Sequence, residues 1–234
     1  MMPFGFYPMG GLDLVLMILP MLLALWAQFK VKGAYAKYSQ IGSRSGMTGA
    51  YVARRIMDTE GINDVDLEPI AGEMTDHYDP IHKVVRLSEG VYNSTSLAAL
   101  GIAAHEVGHV IQDARGYAPM RLRHAIYPVA NIGSKLAWPL IIAGLIFGLG
   151  GGIVLKIGIY LFIASVAFTV ITLPVEFNAS RRAMLALAQG GTMPADELAG
   201  AKKVLDAAAL TYVAAAAGAI LTLIRLLLIA QNRD

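Results

Sequence analysis

Four long apolar stretches constrain the fold of this 234-residue chain more than any other feature of its sequence. Charged residues are almost absent from these stretches, which cover residues 12–29, 136–153, 157–173 and 210–229. An α-helix rises about 1.5 Å per residue, so about 20 apolar residues cross the hydrocarbon core of a bilayer. The composition agrees, because 56% of the residues are hydrophobic and only 15% are charged. The sequence therefore predicts a mainly α, multi-pass membrane protein with about four transmembrane helices.

A cleaved signal peptide is the alternative interpretation of the first stretch. No basic residue precedes this stretch, and it ends in Trp26, Gln28 and Lys30 without a pattern of small residues for cleavage. A signal peptide normally has both features. We therefore expect an N-terminal transmembrane helix within residues 1–29.

The second and third stretches should form a tight transmembrane hairpin, residues 132–173. A glycine cluster and one charge, Lys156, separate them, and glycines favour a turn. The last stretch predicts a C-terminal transmembrane helix, residues 210–234. It is rich in small residues between Ala214 and Gly218, which let helix backbones approach closely in lipid. These small residues should pack inside the bundle or against a second copy of the chain.

The basic residues predict which side of the membrane the polar segments face, because cytoplasmic segments hold the excess of Lys and Arg. Residues 30–131 and 174–209 hold nearly all of them, and only two fall on the opposite side. Asp13, Lys135 and Arg225 lie near the ends of the apolar stretches, where such side chains reach the lipid headgroups. We expect both termini outside the cell and both polar segments in the cytoplasm.

Within residues 30–131 the sequence predicts a helical region that carries a small β-hairpin or sheet. Residues 48–58 have a helical pattern, and residues 83–87 alternate and are β-branched like a short strand. A further helix should cover residues 96–112. The residues that favour an N-cap for this helix are Asn93, Ser94 and Thr95.

That further helix carries an HExxH motif formed by His105, Glu106 and His109. Residues four apart lie on the same face of a helix, so both imidazoles can bind one metal ion. The surrounding sequence, LAALGIAAHEVGHVI, is otherwise apolar, and burial of these polar groups is costly unless a partner compensates them. A zinc ion supplies that compensation. Glu106 is then placed to take a proton from a water molecule at the metal.

A reactive zinc site with two histidines needs a third ligand, commonly a glutamate from a second helix. Glu176 is the candidate, because it follows the third apolar stretch and lies on the same predicted side of the membrane as the motif. Two other carboxylates are weaker candidates. Glu197 lies in a polar, surface-like segment, and Asp113 is too close to the motif on the same helix.

Other function classes have less support in the composition and motifs. The chain has no Cys, which excludes disulfides, thiolate metal ligands and a cysteine nucleophile. A formal net charge of +2, without a basic stripe interleaved with aromatic residues, argues against nucleic-acid binding. A second metal site at His77 and His82, beside Asp76 and Asp79, is not expected, because the spacing fits no helical face. We expect one zinc ion per chain.

The sequence HEVGH with a downstream EFNAS resembles the bacterial YugP-like family of membrane zinc metallopeptidases and, more distantly, HtpX and the CAAX prenyl proteases. The resemblance covers nearly the whole chain and includes the segment YDPIHKVVRLSEGVYNS. It implies a zincin-like region of the gluzincin type, with a strand beside the cleft against which an extended substrate pairs. The residues of that strand are Val84, Val85, Arg86 and Leu87.

The residues after the third ligand depart from the pattern of the distant relatives. HtpX-like enzymes carry Asp four residues after the ligand Glu, where it orients a metal-binding His, and this chain has Ser180 there. Asn178 is a second candidate for such a hydrogen bond. Distant relatives also stabilise the oxyanion with His, Tyr or Arg. The candidates for that role in this chain are His124, Arg181 and Arg182.

These features together predict a zinc endopeptidase of the bacterial cytoplasmic membrane that cuts peptide bonds near the cytoplasmic surface. The expected partners are the lipid bilayer and a protein or peptide substrate that is itself associated with the membrane. A metal transporter is disfavoured, because the apolar stretches have no ionisable residue at their centres. The remaining alternative is a zinc-binding membrane scaffold or sensor without proteolytic activity.

Overall fold

The computed structural model describes residues 10–147 and 152–231. The described residues form seven α-helices and three β-strands, in the order α1 (Gly11–Tyr38), α2 (Gly49–Thr59), β1 (Asp66–Ile70), β2 (His77–Asp79), β3 (Val84–Ser88), α3 (Glu89–Tyr92), α4 (Leu97–Ala114), α5 (Ala118–Phe147), α6 (Ile153–Ala188) and α7 (Ala195–Gln231). Four of the helices, α1, α5, α6 and α7, are long and apolar enough to cross a membrane. The prediction of a mainly α membrane protein with four spans and a small sheet is therefore confirmed. Most of the turn predicted between the second and third spans, at Gly150 and Gly151, lies outside the described residues.

The four long helices extend well beyond the apolar stretches that predict them. Helix α1 continues to Tyr38, α5 begins at Ala118, α6 continues to Ala188 and α7 begins at Ala195, all in polar sequence. The chain forms two compact units, and each of these helices contributes residues to both. The polar segments directly next to the apolar stretches therefore belong to the same helices.

The first compact unit comprises Met1–Trp26, Arg123–Ile171 and Tyr212–Asp234. Its helices approach closely at small residues: a Cβ atom built on Gly158 of α6 would lie 2.8 Å from Cγ1 of Ile141 on α5. Most of its apolar surface faces outward, because at most 28% of the most apolar window of any long helix is buried within the protein. An exposed apolar surface of this extent suits contact with lipid.

Within this unit the last helix packs against the first through small residues and one ion pair. Ala214, Ala216 and Gly218 are buried, as expected for packing inside the bundle. Arg225 of α7 donates hydrogen bonds from Nε and Nη2 to the carboxylate oxygens of Asp13 on α1, over 2.7 and 3.3 Å. These two charges therefore neutralise each other, and the expectation that they reach the headgroups stays a prediction.

The second compact unit comprises Ala27–Leu122 and Thr172–Thr211. Helix α4 runs through its core, and 14 of the 18 residues of that helix are buried. Val52 and Met57 of α2, Leu87 of β3 and Val175 of α6 belong to the same hydrophobic core as α4. A helix that is apolar on all sides is either a membrane span or a buried core helix. The protein surrounds α4, so its apolar residues pack against protein.

Helix α4 begins one residue later than the N-cap prediction allowed. Its N-cap is Ser96, whose Oγ accepts a hydrogen bond from the Ala99 amide over 3.2 Å. The prediction of Asn93, Ser94 or Thr95 is wrong, because these residues belong to the connection before α4. In that connection the Thr95 carbonyl accepts a hydrogen bond from the Ser43 amide over 2.8 Å.

The three strands form one sheet in the order β1, β3, β2. Strand β3 pairs in parallel with β1 and antiparallel with β2, so hydrogen-bonded neighbours occupy both of its edges. The prediction that Val84, Val85, Arg86 and Leu87 offer an edge to a substrate is therefore wrong. Val84, Val85 and Leu87 are at most 3% exposed, as in a central strand that is covered on both faces. A short β-branched run predicts a strand, but it does not tell a central strand from an edge strand.

Candidate metal centre

Helix α4 presents His105 and His109 one turn apart on the side that faces α6. Their rings meet edge to face, with centroids 4.8 Å apart and an interplanar angle of 85°. Helix α6 brings Glu176 to both rings: its Oε2 lies 3.2 Å from Nε2 of His105 and 3.5 Å from Nε2 of His109. Within the described part of the chain, these three side chains form a group whose ligand atoms lie within 4.8 Å of one another.

This set of donor atoms fits zinc. Zinc–ligand bonds of about 2.0–2.2 Å put neighbouring ligand atoms of a tetrahedron about 3.3–3.6 Å apart. The separations of Glu176 Oε2 from the two Nε2 atoms, 3.2 and 3.5 Å, are close to that range. Two imidazoles and one carboxylate also leave a fourth position open, as catalytic rather than structural zinc sites do. The three side chains are only 4% to 13% exposed, which protects such a site from solvent.

Burial dominates the electrostatics of Glu106, which is 8% exposed. It raises the pKa of the Glu106 carboxyl, and the nearby His105 and His109 lower that pKa by less. For His109, burial lowers the pKa of the imidazole, but the hydrogen bond and charge of Glu176 outweigh burial and raise it. A carboxylate with a raised pKa is the stronger base. Glu106 is therefore suited to accept a proton.

Gln112 links the two helices that carry this group, and sequence reasoning missed it. Its side chain is fully buried, and its Oε1 lies 3.0 Å from Nδ1 of His109. Its Nε2 donates hydrogen bonds to the Val175 carbonyl oxygen over 2.7 Å and to Oδ1 of Asn178 over 3.1 Å. The available signal was an amide three residues after His109, on the same face of an otherwise apolar helix.

Ser180 and Asn178, the predicted hydrogen-bonding residues, both lie beside the group. Oγ of Ser180 is 3.1 Å from Nδ1 of His105. Oδ1 of Asn178 accepts hydrogen bonds from Gln112 and from Nε of Arg182, the latter over 2.7 Å. A hydroxyl thus contacts His105 at the position where HtpX-like enzymes carry Asp, and Asn178 reaches His109 only through Gln112.

The three candidates for oxyanion stabilisation have different surroundings. The guanidinium of Arg182 binds Asn178 and lies over the ring of Tyr117, 6.0 Å from its centroid. Arg181 is exposed and, with Ser180, lines a cavity of about 350 Å³ between α6 and α7. His124 is exposed on α5 and belongs to the first compact unit, whereas the metal-ligating group belongs to the second. Arg182 thus hydrogen-bonds to Asn178, one of the residues beside the metal-ligating group.

The two weaker candidates for the third ligand have other partners. Glu197 is buried and accepts a hydrogen bond from Oγ of Ser43 over 2.6 Å. Asp113 accepts hydrogen bonds from the hydroxyl of Tyr78 over 2.8 Å and from Nζ of Lys83 over 2.7 Å. These carboxylates hold neighbouring segments in place, and neither belongs to the group of ligand atoms around Glu176.

The sequence disfavoured a second metal site at His77, His82, Asp76 and Asp79. These residues hydrogen-bond to other groups or, for His82 and Asp79, to each other. Nδ1 of His82 lies 2.6 Å from Oδ2 of Asp79, and this hydrogen bond is the main cause of the lowered pKa of Asp79. Asp76 accepts hydrogen bonds from the amide and the hydroxyl of Ser88. Nδ1 of His77 lies 2.8 Å from the Thr75 carbonyl oxygen. These four side chains do not form a common site.

Comparison with known proteins agrees with the zinc-binding donor set. The family described as "Putative neutral zinc metallopeptidase" matches residues 13–231, and that family implies zinc as the metal. "Putative membrane protease YugP" of Bacillus subtilis (strain 168) is 49% identical over 210 residues, which cover 90% of this chain and 92% of that protein. No solved structure matches the chain.

The predicted resemblance is confirmed, and with its four apolar helices the chain is a membrane protein. The matched length and the identity place the chain in one family: it belongs to the family described as "Putative neutral zinc metallopeptidase".

Proposed function

We propose that the protein is a zinc-dependent membrane endopeptidase in which His105, His109 and Glu176 hold one zinc ion and Glu106 is the general base. The observation that carries the proposal is the convergence of two imidazole nitrogens and one carboxylate oxygen within 4.8 Å, next to a buried glutamate. This is the gluzincin arrangement, in which HExxH supplies two ligands and the base, and a glutamate on a second helix supplies the third ligand.

Zinc and Glu106 have separate tasks in peptide hydrolysis. Zinc, when bound, supplies Lewis acidity toward the scissile carbonyl and toward water. Glu106 takes a proton from the attacking water, whose oxygen bonds to the carbonyl carbon. It then passes the proton to the amine nitrogen as the C–N bond breaks. In the metal-free protein, burial raises the pKa of Glu106, which favours the first transfer, in which the carboxylate accepts the proton.

An extended substrate is proposed to pair with the outer edge of β2. Strand β2 pairs with β3 on one side, and no other described strand pairs with its second side. It packs against α4, and the hydroxyl of Tyr78 binds Asp113 on that helix. The charge of Asp76, directly before β2, is a minor cause of the raised pKa of Glu106, so this end of β2 lies near the general base. Backbone pairing at a free strand edge is a common way to bind an extended peptide.

The site is proposed to lie at the cytoplasmic surface of the bacterial cell membrane. The support is the concentration of Lys and Arg in the two polar segments between the apolar stretches. These two segments supply most of the second compact unit, which contains the metal-ligating group. The bacterial relative is named as a membrane protease. The proposed substrate is a membrane-associated protein or peptide, cut close to the bilayer.

Zinc content and hydrolysis, measured on the same detergent-purified protein, test the proposal. The wild type should contain about one zinc ion per chain and cleave fluorescein-labelled casein. His105→Ala and Glu176→Ala should lose zinc and hydrolysis together. Glu106→Gln should keep zinc and lose hydrolysis. His82→Ala is the matched control, because His82 is exposed and binds Asp79 instead.

Hydrolysis retained by Glu106→Gln would contradict the mechanism. Wild-type protein that holds zinc without hydrolysing casein or a membrane-protein substrate would favour the zinc-binding scaffold or sensor. Wild-type protein without zinc, after purification free of chelators, would contradict both. For the substrate edge, a photoreactive residue replacing His77 should crosslink to casein in the Glu106→Gln protein, and one replacing Glu68 on β1 should not.

A further inference from the structure

The side chain of Gln112 lies fully buried behind the metal-ligating group, where it makes three polar contacts. One contact is to Nδ1 of His109 on the same helix, and the other two are to Val175 and Asn178 on α6. A buried amide with all of its contacts to fixed partners has only one orientation that satisfies them. That orientation decides which atom of His109 carries the proton.

The partners on α6 fix the orientation of the Gln112 amide. The Val175 carbonyl oxygen can only accept a hydrogen bond, so the atom 2.7 Å from it must be the Gln112 nitrogen. Asn178 gives the same answer independently, because its own orientation is set by Arg182. A guanidinium can only donate, so the Asn178 atom 2.7 Å from Nε of Arg182 is its oxygen, which then accepts from Gln112.

With its nitrogen directed at α6, Gln112 turns its oxygen toward His109. An amide oxygen can only accept, so Nδ1 of His109, 3.0 Å away, must carry the proton and donate it. The neutral ring then has its lone pair on Nε2, the atom that lies 3.5 Å from Oε2 of Glu176. A ligand histidine is commonly held in this way by a hydrogen bond to its other nitrogen.

We infer that Gln112 is a positioning residue that holds His109 in the Nδ1–H tautomer and ties it to the segment of α6 that carries Glu176. The inference rests on the proposed function, because it assigns the purpose of the Nε2 lone pair to zinc. Val175 directly precedes Glu176 in the chain, so one side chain positions a ligand on each of two helices. Ser180 does not impose a tautomer on His105 in the same way, because a hydroxyl can donate or accept.

Two variants and two measurements test the inference on the full-length protein in detergent. Gln112→Met keeps the side-chain length and volume but removes the acceptor for His109 and the donor for α6. Gln189→Met makes the same change at an exposed glutamine that does not contact the metal-ligating group, so it is the matched control. The measurements are zinc affinity by chelator competition and the histidine tautomer by ¹⁵N NMR. The tautomer is recorded on metal-free protein that carries Glu176→Ala, at a pH where the imidazole is neutral, because the Glu176 carboxylate would otherwise compete for a proton on Nε2 of His109. The signals of His109 are assigned by their loss in His109→Gln.

In the Glu176→Ala background, His109 should be protonated on Nδ1. Gln189→Met should leave both this tautomer and the zinc affinity, measured with Glu176 present, unchanged. Gln112→Met should show a mixture of tautomers and bind zinc about 10–100-fold more weakly. His109 protonated on Nε2 in the Glu176→Ala background would overturn the inference, because no carboxylate then competes with Gln112 for the proton. So would unchanged tautomer and zinc affinity in Gln112→Met. A wild type that binds no zinc would contradict the proposed function, and the tautomer in the Glu176→Ala background would still decide whether Gln112 sets the ring.

Discussion

Gly108 lies directly against the backbone of Ala179: a Cβ atom built on Gly108 would be 2.5 Å from the Ala179 carbonyl oxygen. Gly108 is the residue between Val107 and His109 in the HExxH motif, and Ala179 lies one turn after Glu176 on α6. The missing side chain therefore lets the two helices approach closely next to the metal-ligating atoms. Any larger residue must push α4 and α6 apart.

We expect Gly108→Ala to lower both stability and zinc affinity. The added methyl group meets backbone, which cannot rotate away, and overpacking of this kind costs about 1–3 kcal/mol. Gly33→Ala is the matched control, because Gly33 lies in helix α1 and a Cβ atom added there would have no other atom within 4 Å. Thermal unfolding and chelator competition measure the two effects. Wild-type zinc affinity in Gly108→Ala would contradict the idea that this contact sets the ligand distances.

We expect Glu106→Gln to stabilise the metal-free protein at neutral pH. Burial raises the pKa of Glu106 in the folded state, so the folded protein disfavours the ionised carboxylate. The folded state therefore loses stability as the pH rises above the pKa of the unfolded chain, about 4.3. Gln removes this loss because it has no charge. The gain should be present at neutral pH and shrink toward acid pH, where Glu106 is protonated in both states.

Thermal unfolding followed by far-UV circular dichroism, in detergent with a chelator, measures this difference between Glu106→Gln and the wild type. Recording both proteins at the same pH values cancels the titration of the groups that do not interact with Glu106. A difference that is the same at acid and neutral pH would mean that the charge of Glu106 does not destabilise the metal-free fold.

Single cysteines can test the proposed orientation, because the natural chain contains no Cys. Asn63 is exposed in the second compact unit, and Gln231 is exposed at the end of α7. In intact cells, a membrane-impermeant maleimide should label Gln231→Cys, and Asn63→Cys should react only after permeabilisation. The reverse pattern would place the metal-ligating group outside the cell. Equal labelling of both in intact cells would contradict a sealed, four-span topology.

The ion pair between Asp13 and Arg225 should couple the first and last spans. Removing only one partner leaves a charge without its counter-ion among apolar helices, whereas removing both does not. Arg225→Gln should therefore be less stable than Asp13→Asn/Arg225→Gln. The coupling in a double-mutant cycle is expected to be about 0.5–3 kcal/mol. Additive effects of the two substitutions, measured by thermal unfolding in detergent, would show that the pair contributes nothing.

Local patterns in the sequence were sufficient for much of the fold and for part of the site. Long apolar runs predicted four membrane helices, because the length of a span depends only on bilayer thickness and helical rise. The spacing of His105 and His109 predicted a common face, because the helical repeat alone determines it. The choice of Glu176 also needed the predicted membrane topology, because its partners lie about 70 residues earlier in the chain and no local spacing connects them.

Long-range packing decided the rest. The alternation of β3 predicted a strand, but its central place in the sheet depends on β1 and β2, which the strand's own residues do not specify. The sequence around Glu197 is typical of a surface segment, but the fold places Glu197 against Ser43, which lies 154 positions earlier in the chain. Gln112 is one amide among many in the sequence, and only the approach of Val175 and Asn178 on α6 turns it toward His109. A sequence specifies which groups are present and how one element spaces them, whereas hydrogen-bond partners across helices exist only once the helices have packed.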